Sequence, residues 1–161
     1  MPYLVDGNNV MAQRVGWHRD KPRARRGLME ELAQFARARR VSVMVVFDGA
    51  PEEFFADGSS YKGVRVFYSE RGSNADERIK RMVEATRGRR TLVVVTSDRA
   101  LADYVRRCGA QVMRSGEFRK RMEEAAAEGG ARREREGEAA AEGELDQWMR
   151  YFGVAPGEDE E

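Results

Sequence analysis

Short apolar runs alternate along the chain with longer segments whose apolar residues recur every three or four positions. Tyr3-Leu4-Val5 runs into Asp6, and Val41–Phe47 is almost continuously apolar and runs into Asp48. Val64-Arg65-Val66-Phe67-Tyr68 alternates, Thr91–Thr96 is apolar at its centre, and Gln111-Val112-Met113 is a short apolar-rich stretch. These five read as strands, the second covered on both faces and the third nearer an edge. Between them lie helical stripes. One runs from Arg23 to about Arg39 with Leu28, Leu32 and Phe35 on one face; another, after Asn74, carries Ile79, Met82 and Val83. A third follows Asp98 with Leu101, Tyr104 and Val105 and closes at Gly109, and a fourth follows Ser115 with Phe118, Met122 and Ala125. Strands alternating with helices at this spacing predict an α/β sandwich with a mostly parallel five-stranded sheet.

The polar residues that end these runs change the picture. Three of the strands stop at an aspartate: Asp6, Asp48 and Asp98. Strand C-termini of a parallel sheet share one edge, and ligands bind in the crevice there. Gathering carboxylates at that edge costs repulsion that a bound cation relieves. The plainer alternative is that each Asp caps the next helix. Gly7 lets the chain turn sharply after the first strand, and Asn8 or Asn9 can cap the turn of helix that follows. Asn74 is an N-cap candidate, and the helix dipole alone is enough to account for Asp76 beside it.

The connections are less regular. Met11–Trp17 forms a short helix or a loop. Trp17–Arg26 is basic and contains Pro22, so it either touches a nucleic-acid backbone or is an ordinary mobile loop. Gly49–Gly63 reads as a loop with one turn at Glu52–Phe55; its Phe54 and Phe55 either stack on bases or, the favoured reading, plug the loop against the core. Residues 1–126 are expected to form the domain body and 127–143 a charged linker or frayed helix. Residues 144–153 form an amphipathic helix and 154–161 an acidic tail. Leu145, Trp148, Met149 and Phe152 make a stripe too apolar to face water alone, because short isolated helices are unstable. Docking on the body is the favoured expectation; a second copy (a homo-oligomer) or a partner are the others.

Composition excludes several chemistries. The one cysteine, Cys108, rules out an internal disulfide and a Cys-based metal cluster, which suits a reducing cytoplasm. The single histidine, His18, rules out a His-rich zinc site and leaves no Ser-His-Asp or Cys-His nucleophile set. No apolar run is long enough to span a membrane. The net charge of +1 hides +10 over residues 1–121 and −9 over residues 122–161. A basic surface around an acidic pocket suits a polyanion whose phosphates meet a metal; an Arg-rich solvated surface is the plainer alternative. Arg14, Arg19, Lys21, Arg23 and Arg71 flank the predicted acidic edge and are the candidate contacts to such a polyanion. Arg89 and Arg90 precede the fourth strand and belong at the opposite edge. Gly-rich dinucleotide and phosphate-loop patterns are absent. A phosphoacceptor receiver domain is set aside, because Asp6-Gly7-Asn8 lacks its acidic pair and Met113-Arg114 its lysine.

Four segments and a closing one, taken together, resemble the YacP-like branch of the NYN domains, relatives of PIN-type nucleases. Leu4-Val5-Asp6-Gly7-Asn8-Asn9-Val10 is similar to the opening motif and Val45-Val46-Phe47-Asp48 to the second. Phe67-Tyr68-Ser69 with Asn74-Ala75-Asp76 resembles the third, Val95-Thr96-Ser97-Asp98 the fourth, and Arg114-Ser115-Gly116-Glu117-Phe118 a closing segment. Asn8 stands where the family usually carries an aromatic residue. The resemblance implies a PIN-like three-layer sandwich and a Mg²⁺- or Mn²⁺-dependent endoribonuclease acting on single-stranded RNA, with some members ribosome-associated. It implies Asp6, Asp48, Asp76 and Asp98 as catalytic metal ligands, with Asn9 and Ser97 in support. The alternative is an RNA- or ribosome-binding module with an idle acidic site.

Overall fold

The computed structural model describes residues 1–53, 55–70 and 72–130. Residues 1–126 form one compact unit. The strands are β1 (Tyr3–Asp6), β2 (Val43–Phe47), β3 (Ser60–Tyr61), β4 (Val64–Tyr68), β5 (Val93–Val95) and β6 (Gln111–Met113). The helices are α1 (Gly7–Met11), α2 (Lys21–Arg39), α3 (Ala75–Ala85) and α4 (Arg99–Arg107), followed by α5 over residues 115–130. Six strands, one more than the five expected, form a sheet in the order β3-β4-β2-β1-β5-β6. All neighbours are parallel except β3, which pairs antiparallel with β4 through only Ser60↔Arg65 and Tyr61↔Val64. Two residues are too few to show an alternation, so β3 hides in what reads as a loop. Its turn uses left-handed Lys62 and Gly63, with φ of 46° and 86°.

Period-two alternation explains the three layers. Tyr3, Val5, Val43, Val45 and Val95 point to one face and pack with Leu28, Leu32 and Phe35 of α2 and Phe118 and Met122 of α5. Leu4, Val46 and Val94 point to the other, against Ile79 and Val83 of α3 and Leu101 and Val105 of α4. Tyr3, Phe35 and Phe118 meet ring to ring at 5.1–5.8 Å. Phe55 is half-buried against the first core and Tyr61, so it plugs its loop as the favoured reading holds; Phe54 lies outside the described residues.

Three local readings change. The Trp17–Arg26 segment is ordered: a turn at Trp17–Arg19 leads to α2, which starts two residues earlier than the apolar stripe suggests. Asp20 accepts from the Arg23 N–H at 3.1 Å, and Pro22 sits in the first turn, where its missing donor costs nothing. The fourth expected strand shortens to Val93–Val95, because Arg89–Thr91 forms a turn. Arg89 and Arg90 therefore stand before the N-terminal end of β5, away from the strand C-termini.

Candidate functional site

The strand order changes direction at the centre of the sheet, between β1 and β5, and Asp6 stands in that crevice. Asp6 is only 5% exposed. Its Oδ2 accepts from the hydroxyl of buried Thr96 at 3.1 Å, and the same Thr96 oxygen accepts from the Asp98 N–H at 3.2 Å. Asp6 occupies the N-cap position of α1 without a side-chain capping bond. Its carboxyl is pushed up to about 7, chiefly by burial and then by Asp76, with a smaller push from Asp48. The Thr96 hydroxyl and the Asn9 main chain act against the rise.

Asn8 and Asn9 lie inside α1 and cap nothing. Each reaches sideways to a neighbouring strand end. Asn8 Oδ1 accepts from the Asp48 N–H at 3.0 Å. Asn9 Oδ1 accepts from the Ser97 N–H at 2.9 Å and from the Ser115 hydroxyl. The pair thus ties the loops after β2 and β5 to the start of α1. Gly7 serves close approach more than turning: a Cβ there would lie 2.5 Å from the Phe47 ring, so no larger residue lets α1 start against β2.

Asp48 and Asp98 are held by main-chain donors. Asp98 Oδ1 accepts from the Leu101 N–H at 3.0 Å and caps its own helix, as the capping alternative requires. Asp48 instead accepts from the Ala75 N–H of distant α3 at 2.6 Å, while Asn74 caps that helix through the Glu77 N–H at 3.0 Å. Docking α3 on Asp48 brings Asp76, in its first turn, to the same edge. The Asp76 carboxyl is raised by burial and then by Asp98 and Asp48. The four aspartates therefore share one field, although among the described residues no three His, Cys, Asp or Glu side chains gather closely enough to hold a metal ion directly. Their donor set is nonetheless all carboxylate oxygen, which suits Mg²⁺ or Mn²⁺, and such ions keep several waters. Asp6, Asp48, Asp76 and Asp98 are the residues that would hold one.

Ser97 serves the scaffold through its hydroxyl, which accepts from the Ser115 N–H at 3.1 Å. Arg25 is a residue the sequence pattern does not single out. Its guanidinium donates to the Asp48 carbonyl and, at 3.3 Å, to the Ala50 carbonyl. It pairs with Glu52 at 3.7 Å and lies 5.4 Å and 5.5 Å from the Phe47 and Tyr68 ring centroids. It clamps the loop that carries Asp48. Thr96 and Ser115 are likewise found only in the fold; their signal in sequence is no more than a hydroxyl next to an expected strand end.

Of the candidate RNA contacts, Arg14, Arg19, Lys21 and Arg23 are exposed around the start of α2, which lies at the strand C-terminal end of the sheet. Arg14 pairs with Glu31 at 3.1 Å, and the Lys21 ammonium lies 5.9 Å from the Trp17 ring. Arg71, and the calls on the linker beyond residue 130, the Trp148 helix and the acidic tail, lie outside the described residues. No described helix is long and apolar enough to cross a membrane.

Known structures share this architecture. The crystal structure of Rae1 (YacP) from Bacillus subtilis superposes with a TM-score of 0.71 at 21% identity, covering 95% of this chain and 91% of that one. The W164L mutant of the same protein gives 0.65 at 24% identity, covering 80% and 77%. At these identities the likeness speaks for the fold. No curated protein matches the chain. The sequence profile of the YacP-like NYN domain matches residues 3–150, nearly the whole chain, and is consistent with a nuclease-type, RNA-related function. This protein belongs to the YacP-like NYN domain family.

Proposed function

We propose that the chain is a metal-dependent endoribonuclease that hydrolyses phosphodiester bonds of single-stranded RNA. The observation that carries this reading is the shared field of the four aspartates: Asp76 and Asp48 raise Asp6, and Asp98 and Asp48 raise Asp76. A fold that needed these side chains only as caps would have no reason to crowd them. Bound Mg²⁺ or Mn²⁺ would supply an activated water and offset charge on the leaving oxygen. Within that scheme Asp6, Asp48, Asp76 and Asp98 hold the ion. Asn9 and Ser97 act by fixing the loop that presents Asp98, since both engage its neighbours through hydrogen bonds. Arg14, Arg19, Lys21, Arg23 and Arg71 meet RNA phosphates. Cytoplasmic location, association with ribosomes, and a homo-oligomer through the 144–153 helix belong to the same reading and are checked by fractionation, sedimentation with ribosomes, and light scattering.

The test is cleavage of an end-labelled single-stranded RNA in Mn²⁺, with EDTA and Asp98→Asn as controls. Cleavage that needs Mn²⁺ and disappears in the variant supports the reading. A competing reading, an RNA- or ribosome-binding module with an idle site, draws on the absence, among the described residues, of three carboxylates already gathered as a metal site. RNA binding that survives EDTA, with no cleavage in Mn²⁺, decides for that alternative.

A further inference from the structure

The end of α1, the Trp17–Arg19 turn and the first three turns of α2 line an open cleft of about 600 Å³. That is the size of cleft that takes a small ligand. Its walls carry Arg14, Arg19, Arg23, Arg26 and Arg119 together with the Trp17 ring. Acidic groups are present, and each has an engagement within the fold. Glu31 holds Arg119 at 2.5 Å and Arg14 at 3.1 Å. Glu30 faces Lys62 at 3.6 Å and the Tyr61 hydroxyl. Asp20 caps α2. No carboxylate pairs with Arg19, Arg23 or Arg26 among the described residues, so the cleft keeps positive charge unspent. Arg119 is 9% exposed, and its Nε finds no acceptor in the fold. Buried donors are rarely left unpaired without a functional reason.

Guanidinium groups and a half-buried indole are the two components of a nucleotide site: cations for the phosphate and an aromatic face for the base. The positive N-terminal end of the 19-residue α2 adds to the first. The same helix carries Arg25, which clamps the Asp48 loop. One rigid element therefore joins the cleft to the acidic edge. We infer that the cleft between α1 and α2 is a subsite for one nucleotide of a single-stranded RNA that runs to the acidic edge, with its base against Trp17 and its phosphate at Arg19 and Arg23. This assignment rests on the nuclease reading for its direction along the strand, but its binding chemistry does not.

The test uses the full chain labelled with 5-fluorotryptophan. Its 2 tryptophans give two ¹⁹F signals, with Trp17 assigned from Trp17→Phe. Octauridylate is titrated in EDTA, so binding is read without cleavage. The Trp17 signal is expected to shift saturably. Arg19→Gln combined with Arg23→Gln is expected to weaken binding about tenfold and to lower the slope of log affinity against log salt by about 0.7, from one phosphate no longer neutralised on a single strand. Both side chains are exposed, so folding is not at stake. A Trp17 signal that stays still while octauridylate binds overturns the assignment, as does an unchanged salt slope in the double variant. Absence of any octauridylate binding at low salt, the result expected if the cleft serves a protein instead, also overturns it. The two readings fail separately. Mn²⁺-dependent cleavage with an unmoved Trp17 removes only the subsite, and a shifted Trp17 without cleavage removes only the nuclease.

Discussion

Asp6 ends β1 and Asp98 caps the helix that follows neighbouring β5, and the Thr96 hydroxyl touches both residues, yet they are held in opposite ways. Asp98 gives an oxygen to a main-chain N–H and does a helix cap's work. Asp48 gives an oxygen to the first main-chain N–H of α3, a helix that Asn74 caps. Asp6 is buried, caps nothing, and faces the charge of Asp76 and Asp48, so its carboxyl rises to about 7. Local folding needs explain two of these aspartates without any ligand. They do not explain Asp6, which costs the metal-free fold stability. Under the proposed metal-dependent reading, a cation at this edge would gain most at Asp6.

The largest expected effect breaks this comparison outright. Asp6→Asn should lower Mn²⁺-dependent cleavage by about three orders of magnitude or more, since a metal's contribution is several kcal/mol. The same variant should melt at a higher temperature than the parent protein in EDTA at pH 8. Losing activity and stability together would mean that Asp6 is a structural carboxylate after all.

The pH dependence of metal-free stability sharpens it. Below about pH 4 the folded and unfolded chains both hold the Asp6 proton. As pH rises from there, the unfolded chain releases it at the ordinary aspartate value of 3.8 while the folded chain keeps it until about 7. This group's contribution to stability thus falls across that window and is constant above it, a loss on the order of 4 kcal/mol. Asp76, also raised, acts in the same direction. Urea titrations in EDTA between pH 4.5 and 8 should show the decline, and Asp6→Asn should flatten most of it. Saturating Mg²⁺ should flatten it too, since the ion holds the carboxylate ionised.

Arg25 comes next. Both partners of its pair with Glu52 are 11% exposed, and the guanidinium also satisfies carbonyls of the Asp48 loop. Arg25→Met keeps the stem on Phe47 and Tyr68 but leaves Glu52 and those carbonyls unpaired, which should cost about 3 kcal/mol. Arg25→Lys restores one charge without the planar fork and should recover only part of this. If Arg25 positions Asp48, cleavage by folded Arg25→Lys falls in kcat more than it changes KM.

The strand ends were legible because each is a local event: an apolar run meeting a carboxylate within a few residues. The α/β sandwich with a mostly parallel sheet followed from two periodicities, read at Tyr3–Asp6 and Val43–Phe47 for strands and at Leu28–Phe35 for a helix, while its three layers were implied by the family resemblance. The partners were not legible, because they come from far along the chain. Asp48 is reached by Asn8 from 40 residues away, Asp6 by Thr96 from 90, and Asn9 by Ser115 from 106. No periodicity reports a hydrogen bond at that separation. Asn8 and Asn9 were misread as caps for the same reason, since an Asn after a strand has a local use that competes with the distant one. β3 escaped because two residues carry no pattern.

The smallest effect isolates capping from charge. Asp98 Oδ1 accepts from the Leu101 N–H, and its main-chain N–H reaches Thr96, which in turn holds Asp6. Asn caps a helix about as well as Asp, so Asp98→Asn should change stability by only a few tenths of a kcal/mol in EDTA. It also removes a charge that raises Asp76, which offsets part of that loss. Asp98→Ala removes the cap and should cost about 1 kcal/mol. The two variants are then alike in lacking a carboxylate and unlike in holding α4. If Asp98 matters to cleavage as a ligand, both are equally inactive in Mn²⁺. If it matters only by keeping α4 and Thr96 in place, Asp98→Asn retains most activity and Asp98→Ala does not. Urea melts and cleavage rates on the same two proteins separate these cases. The second outcome would place Asp98 with the caps and leave Asp6, Asp48 and Asp76 to hold the metal.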